Sequence, residues 1–454
     1  MDLLDIFLCI IYSLTTIGGA WIYLKLRTPS DAHSILIPAL VVKIVGSIAF
    51  YLTYLYYFKV GDTFVYLYDA RILAEELVNN PIIGLKILFQ SAGTFDPDTF
   101  TVTNQMNYFK GTSELIIVKI ASLVSIFSLQ QPLTTTLLFS NLSFIGIWKF
   151  YLFFYDQYPK LKMQLAIATL FIPSVVFWGS GVMKDTVILG FIGILLYYTN
   201  QFFKYEKRSF KNLFLIFSSL YLISITKAYV SIALVPALFY WILFTFNKRI
   251  ENPVFKIFII PLLLGCLIGI SILILNQIES VSNKYSIDNL MTTAEVYQDY
   301  HYASGDLEQE GRRSSYSLGD YDPTLFGIIQ MFPAAVNVTL FRPYIWEIRS
   351  PAMILSALES TFFIFFTLYI FFAVGIANTL KLILQNNLLL FCLVFSIFFA
   401  FAVGFSSYNF GALVRYKTPC MGFYLSFLFI LNYETKLLKN KRITIPSHKM
   451  KSSR

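Results

Sequence analysis

An all-α polytopic membrane protein is the fold class this sequence predicts, on three observations. The 454-residue chain is 57% hydrophobic and 18% aromatic but only 13% charged, with a mean hydropathy of +0.65, whereas soluble domains carry about 25% charged residues. Its apolar runs recur at lengths close to the about 20 residues that cross a bilayer core. The basic residues fall in short clusters between those runs and at the C-terminus, the arrangement that the positive-inside rule describes. That placement also accounts for the net charge of +9, so a nucleic-acid partner is set aside.

Taken in order, the predicted spans are 3–24, 34–58, 132–155, 164–178, 183–203, 212–226, 229–246, 255–276, 352–377, 387–406 and 412–433, about eleven transmembrane helices in all. The run from Ser113 to Gln130 is apolar enough to raise the question of a twelfth. If it crossed, the basic clusters Lys204–Lys211 and Lys436–Arg442 could not both share a side with Lys25 and Arg27. An amphipathic helix in the interface, with Glu114 and Lys119 toward the headgroups, places every cluster on the cytoplasmic side. The N-terminus is then outside, the C-terminus is in the cytoplasm, and two large loops, 59–131 and 277–351, face the same outer compartment. The second is the more polar, with Asp299, Asp306, Glu308, Glu310, Arg312, Arg313, Asp320 and Asp322.

The first run follows Met-Asp-Leu-Leu-Asp and lacks the positive start of a cleavable signal, so it reads as a retained helix. Cys9, Cys266, Cys392 and Cys420 sit within or beside apolar runs, and no disulfide framework or CxxC metal site is indicated. His33, His301 and His448 are scattered. A Ser/His/Asp arrangement or a zinc site therefore has little support.

Ionisable groups in or beside the membrane are costly, so each one poses a functional question. Asp62 follows the span 34–58, and within the first loop Asp62, Tyr66, Asp69 and Leu73 recur at helical spacing. As an ordinary residue Asp62 would be a helix cap. Lys184 and Asp185 close the segment Trp178-Gly-Ser-Gly-Val-Met-Lys-Asp185, where the plain alternative is a solvated pair on a tight turn. Lys227 lies at a turn between two apolar runs and would otherwise be a snorkelling lysine. Arg415 and Lys417 open the last predicted helix. Arg342, in Leu340-Phe-Arg-Pro-Tyr-Ile-Trp-Glu347, together with Trp346 fits an interfacial anchor as well as a site. Lys43, in mid-span, packs or snorkels inward. By topology one carboxylate and up to four cations converge on the outer mouth of the bundle. That grouping suits a reaction in which a carboxylate handles a hydroxyl while cations hold and release a phosphate.

The order of these features resembles the GT-C superfamily of membrane glycosyltransferases, which includes protein O-mannosyltransferases and the lipid A aminoarabinose transferase. The family opens its first outer loop with a pattern close to D-E-x-x-Y-x-x-x-A. Asp62-Thr-Phe-Val-Tyr66-Leu-Tyr-Asp-Ala70 matches it at Asp62, Tyr66 and Ala70 and departs at Thr63, where the family has a second acid. Interfacial helices come next in the family, as Ser113 to Gln130 does here. The segment Phe171-Ile-Pro173 to Asp185, the hairpin Ile225-Thr-Lys227-Ala-Tyr, and Arg415-Tyr-Lys-Thr-Pro419, similar to R-Y-x-x-P, complete the resemblance. The span 3–24 is an addition before the family's usual first helix.

The resemblance implies a transmembrane domain over 34–433, preceded by an extra helix and cytoplasmic turn over 1–33 and succeeded by a basic tail over 434–454. It implies transfer of a sugar from a polyprenyl-phosphate donor to a glycan, lipid or protein acceptor on the outer face of the cytoplasmic membrane, in surface polysaccharide or glycolipid assembly. Asp62 would be the catalytic base or the carboxylate that orients the acceptor. Lys227 and Arg415 would hold the lipid phosphate, and Tyr66, Lys184, Asp185 and Arg342 would line the substrate pocket. The resemblance fixes no cofactor; a divalent cation is an option that Thr63, in place of an acid, weakens. The alternatives are a repeat-unit polymerase of O-antigen or exopolysaccharide, in which Arg342 and Arg415 would outweigh Asp62, and a lipid-linked sugar transporter or flippase, which would call for repeat symmetry, broken midplane helices and charges within the spans.

Overall fold

The computed structural model describes residues 2–26, 31–246, 265, 316–319, 325–349 and 351–443. The predicted span 255–276 apart from Gly265, the acidic and basic residues named above between Asp299 and Asp322, Cys266, His301 and His448 lie outside the described residues. Among those described, the chain is helical without a β-strand, and seven helices are long and apolar enough to cross a membrane. These are Leu3–Leu26, Asp31–Phe58, Pro132–Gln157, Lys184–Phe203, Ala228–Phe246, Met353–Ala373 and Asn387–Ser407. This is a multi-pass membrane protein.

The chain divides into two compact units, one made of Met1–Ala233 with Gly411–Gly422 and the other of Leu234–Phe410 with Phe423–Arg454. The first contains α1 (Leu3–Leu26), α2 (Leu36–Thr53, prolonged by a π-helical turn Tyr54–Phe58), α3 (Asp62–Asn79), α4 (Pro81–Phe89), α5 (Phe100–Thr103) and α6 (Thr112–Phe127). It continues with α7 (Pro132–Gln157), α8 (Lys162–Leu170), α9 (Pro173–Trp178), α10 (Lys184–Phe203), α11 (Phe210–Thr226) and the start of α12 (Ala228–Phe246).

Helices α7 and α10 run side by side in the same direction. The Ser143 hydroxyl donates to the Thr186 carbonyl at 2.6 Å near one end, and the Gln157 amide donates to Asn200 Oδ1 at 3.0 Å near the other. Between them Gly146 and Gly190 remove the side chains, so the backbones meet; a Cβ on Gly146 would fall 1.9 Å from the Gly190 carbonyl oxygen. Small residues at such a crossing are what allow close helix packing in lipid.

Two parallel neighbours require the chain to cross back between them. That return is 162–178, and it differs from the single span predicted over 164–178. It is split into α8 and α9 at Phe171 and Ile172, because Pro173 pushes the residue before it out of the helical region, and Ile172 is extended at φ −65° and ψ 119°. The extended step lengthens the path: 17 helical residues rise only about 26 Å, short of a bilayer core of about 30 Å.

Helix α1 is tied to α7 by a carboxylate. Buried Asp5 accepts from the Leu133 and Thr134 amides at 3.0 and 2.9 Å and from the Thr134 hydroxyl, so it serves the open first turn of a different helix. The stretch read as an interfacial helix, Ser113 to Gln130, forms α6 over 16 residues, not one of the seven candidate spans, and it packs along α3.

The later part of the chain departs from the sequence reading in three places. Inside the predicted loop 277–351 lie the helices Leu325–Gln330 and Phe332–Phe341. The second is apolar and packs against Asn387–Ser407, with the Thr339 hydroxyl donating to the Ala400 carbonyl at 2.7 Å. The predicted span 352–377 ends at Val374, since Gly375 takes a φ of +83° and a separate amphipathic helix, Ile376–Gln385, comes after it. The last predicted helix, 412–433, is also two elements. Phe410–Tyr416 stops at Lys417 and Thr418–Ile443 begins anew with Pro419 in its first turn, where a missing N–H costs nothing.

Candidate active site

Four of the residues singled out in the sequence form one line in the first unit. Asp62 is the first residue of α3, joined to the membrane helix before it by only Lys59, Val60 and Gly61. Lys59 and Gly61 both have positive φ, and a Cβ on Gly61 would lie 2.6 Å from the Tyr54 ring. Glycine there lets the chain turn sharply across that ring and set Asp62 at the mouth of the helix. Gly61, not Asp62, occupies the cap position of α3. The Asp62 carboxylate reaches outward instead.

Its Oδ2 accepts from Arg415 Nη1 at 3.0 Å, and its Oδ1 accepts from the Tyr108 hydroxyl at 3.2 Å. Arg415 also donates through Nε to Asp185 Oδ2 at 2.7 Å, and Lys227 Nζ donates to Asp185 Oδ1. The order is therefore Tyr108, Asp62, Arg415, Asp185, Lys227. Solvent access grades along it: side-chain exposure is 46% at Asp62, 15% at Arg415, 0% at Asp185 and 7% at Lys227.

Local folding explains each position. Asp185 stands in the first turn of α10, where the helix dipole favours a negative charge. Because α11 packs back along α10, its end delivers Lys227, the single residue between α11 and α12, to the start of α10. Lys227 also lies 4.7 Å over the Tyr416 ring, and Arg415 5.6 Å from it. A buried carboxylate with two cations on its two oxygens is satisfied, and removing any one of the three would strand the others.

Tyr66 and Lys184 flank this line. Tyr66 is buried, its ring 4.8 Å from that of Tyr108. Burial, then the Glu114 and Asp62 charges, push its phenol upward. Lys184, though next to Asp185, points elsewhere, donating to Glu114 Oε1 at 2.5 Å and to the Ser113 hydroxyl at 2.9 Å. Glu114 is pushed up by its burial, but the Lys184 hydrogen bond and charge outweigh that and hold it below the usual range.

Sequence reasoning did not find Tyr108 or the pairing of Glu114. Tyr108 is placed by Asp69, whose carboxylate accepts from the Asn107 and Tyr108 amides at 3.0 and 2.7 Å and from the Asn107 side chain at 3.0 Å. Its phenol is pushed up to about 12 by burial and by the Asp62 charge, so it remains a proton donor to that carboxylate. The one trace of this in the sequence is the recurrence of Asp69 on the same helical face as Asp62 and Tyr66.

Arg342 belongs to the second unit. It pairs with Glu347 through Nε and Nη2, and its guanidinium lies 5.1 Å from the Phe410 ring and 5.8 Å from Tyr316 and Tyr344. Trp346 is exposed and stacks on Tyr344 at 4.8 Å. Lys417 is buried. Lys43 is buried in α2 and donates to the Gly179 carbonyl, at the end of α9.

The four charges sum to zero. Arg415 stands between the two carboxylates as a fixed cation, so this set as it is does not fit a divalent metal ion. The arrangement can present one half-exposed carboxylate beside a guanidinium whose Nη2 takes part in neither ion pair. Comparison with protein-family models, curated proteins and solved structures returns no match to this chain.

Proposed function

We propose that the chain is an integral membrane glycosyltransferase of the GT-C type, moving a sugar from a polyprenyl-phosphate donor to an acceptor hydroxyl at the outer face of the cytoplasmic membrane. The observation that supports this reading is the Asp62–Arg415 pair at the mouth of a membrane helix, backed by buried Asp185 and Lys227.

In this reading Asp62 takes the proton of the acceptor hydroxyl as its oxygen attacks the anomeric carbon. The bond from that carbon to the phosphate oxygen breaks with inversion, and the electron pair leaves on polyprenyl phosphate. Arg415, through the Nη2 edge that the carboxylates leave alone, neutralises the charge that develops there. Asp185 and Lys227 hold the guanidinium in place. Lys184, held by Glu114, shapes the wall on the side of α6.

The test is to supply the purified full chain in proteoliposomes with polyprenyl-phosphate monosaccharides labelled in the sugar, and to measure release of polyprenyl phosphate and transfer of label. Wild type transfers; Asp62→Asn folds and does not. Arg415→Lys keeps the charge but loses the fork that spans two carboxylates, and transfer should fall about 100-fold or more. An active Asp62→Asn variant rejects the mechanism, and use of a pyrophosphate-linked oligosaccharide instead of the monosaccharide points to a polymerase.

A further inference from the structure

On the opposite face of α3 from Asp62 lies a second recess. Asp62, Tyr66, Asp69 and Leu73 share one side of the helix, while Phe64, Leu67 and Arg71 share the other. The latter three line a cavity of about 470 Å³ together with Asp2, Tyr51 and Leu129.

Its level in the membrane is set by the helices around it. Helices α1 and α7 begin there, their first turns locked together by Asp5, and α2 reaches it in its last full turn at Tyr51. Two span starts at one height, beside α2 where its regular helix gives way to the π-helical turn, mark a boundary between hydrocarbon and headgroups. A cavity at that height meets amphiphiles, with tails on one side and heads on the other.

The lining has matching halves. Tyr51, Phe64, Leu67 and Leu129 offer apolar walls. Arg71 offers a guanidinium, engaged among the described residues only by Glu75 one turn on, both ends of that pair being well exposed, so the bond is weak and readily exchanged. Asp2 offers an exposed carboxylate, while Asp5 is already spent on the α7 amides. One cation and one available acid complement a head that carries both charges, not a net anion. Leu129 and Gln130, on the rim, hold φ values of 51° and 62° and close the C-terminal end of α6, the Gln130 amide donating back to the Ser125 carbonyl at 2.8 Å.

We propose that this cleft is a binding site for a zwitterionic phospholipid, its phosphate on Arg71, its ammonium on Asp2 and one acyl chain along Leu67, Phe64 and Leu129. The site is separate from the Asp62 line and does not depend on the activity assigned to it.

The experiment places the photo-crosslinking residue benzoylphenylalanine at Leu129, or at lipid-facing Phe7 of α1 as reference, in the full chain in membranes containing phosphatidylethanolamine and phosphatidylglycerol. Mass spectrometry then identifies the lipid adducts. At Leu129 the ratio of ethanolamine to glycerol lipid should exceed that at Phe7 at least threefold. It should return to the reference ratio in Arg71→Glu, and Leu67→Trp, which fills the cleft, should remove the Leu129 lipid adducts. Equal ratios at the two positions, enrichment of the glycerol lipid, or enrichment that persists in Arg71→Glu would each overturn the proposal.

Discussion

Asp62 and Arg415, 353 positions apart in the chain, meet at 3.0 Å. Neither has a local reason to be there. Asp62 leaves the capping of α3 to Gly61, and Arg415 turns from the end of its own short helix toward two carboxylates on two other helices. The pair joins a solvent-facing end to a buried one, and the two ends should respond differently to substitution.

At the buried end, Asp185→Asn leaves Lys227 and Arg415 without their shared counter-charge in a site closed to water. The expected cost is about 3–5 kcal/mol. Asp62→Asn, at the exposed end, should cost no more than about 1 kcal/mol. Thermal unfolding of the two variants in the same detergent checks this order, and equal melting temperatures would contradict it.

The Glu114–Lys184 pair, which ties α6 to α10, carries a pH dependence of definite sign. The carboxyl of Glu114 is held below its ordinary value of 4.5 in the folded chain. Its contribution is therefore fully present above about 4.5 and is lost as pH falls through the lower folded value. The difference in melting temperature between wild type and Glu114→Gln should be constant above about pH 5 and shrink below it. A difference that widens in acid would show the opposite linkage.

The crossing of α7 and α10 has no room to give. Gly146→Leu sets its side chain against the Gly190 backbone and should abolish a monodisperse preparation. Gly18→Ala, with nothing within 4 Å of the added carbon, should change the melting temperature by less than the error of the measurement. Size-exclusion profiles and melting curves of the two variants make the comparison.

Much of this was legible in the sequence, for a physical reason. Runs of apolar side chains long enough to cross a bilayer have few other uses, and charges such as Asp62, Asp185, Lys227 and Arg415 stand out at their ends because burying them is costly. Other features escaped reading, each for its own cause. The break at Phe171 and Ile172 was signalled by Pro173, but only the parallel course of α7 and α10 shows that the broken piece has to return across the membrane. Tyr108 gave no signal of its own, only the indirect one of Asp69 on the face of Asp62: its partner is 46 residues away, and its position depends on backbone amides held by Asp69. The helix Phe332–Phe341 was hidden because it is an apolar segment shorter than a span, set in a stretch dominated by charge.

Lys184 and Asp185 are joined by one peptide bond yet serve different masters, one gripping α6 and the other the arginine. Each residue added to a helix rotates the remainder of that helix by about 100°. An exchange of the two side chains would thus aim each charge at the other's neighbourhood and set like against like, and a single insertion before Lys184 would turn the lysine toward Lys227 and Arg415. Of all the short stretches in this chain, this dipeptide should be the least forgiving of a change in order, even one that leaves composition and net charge untouched.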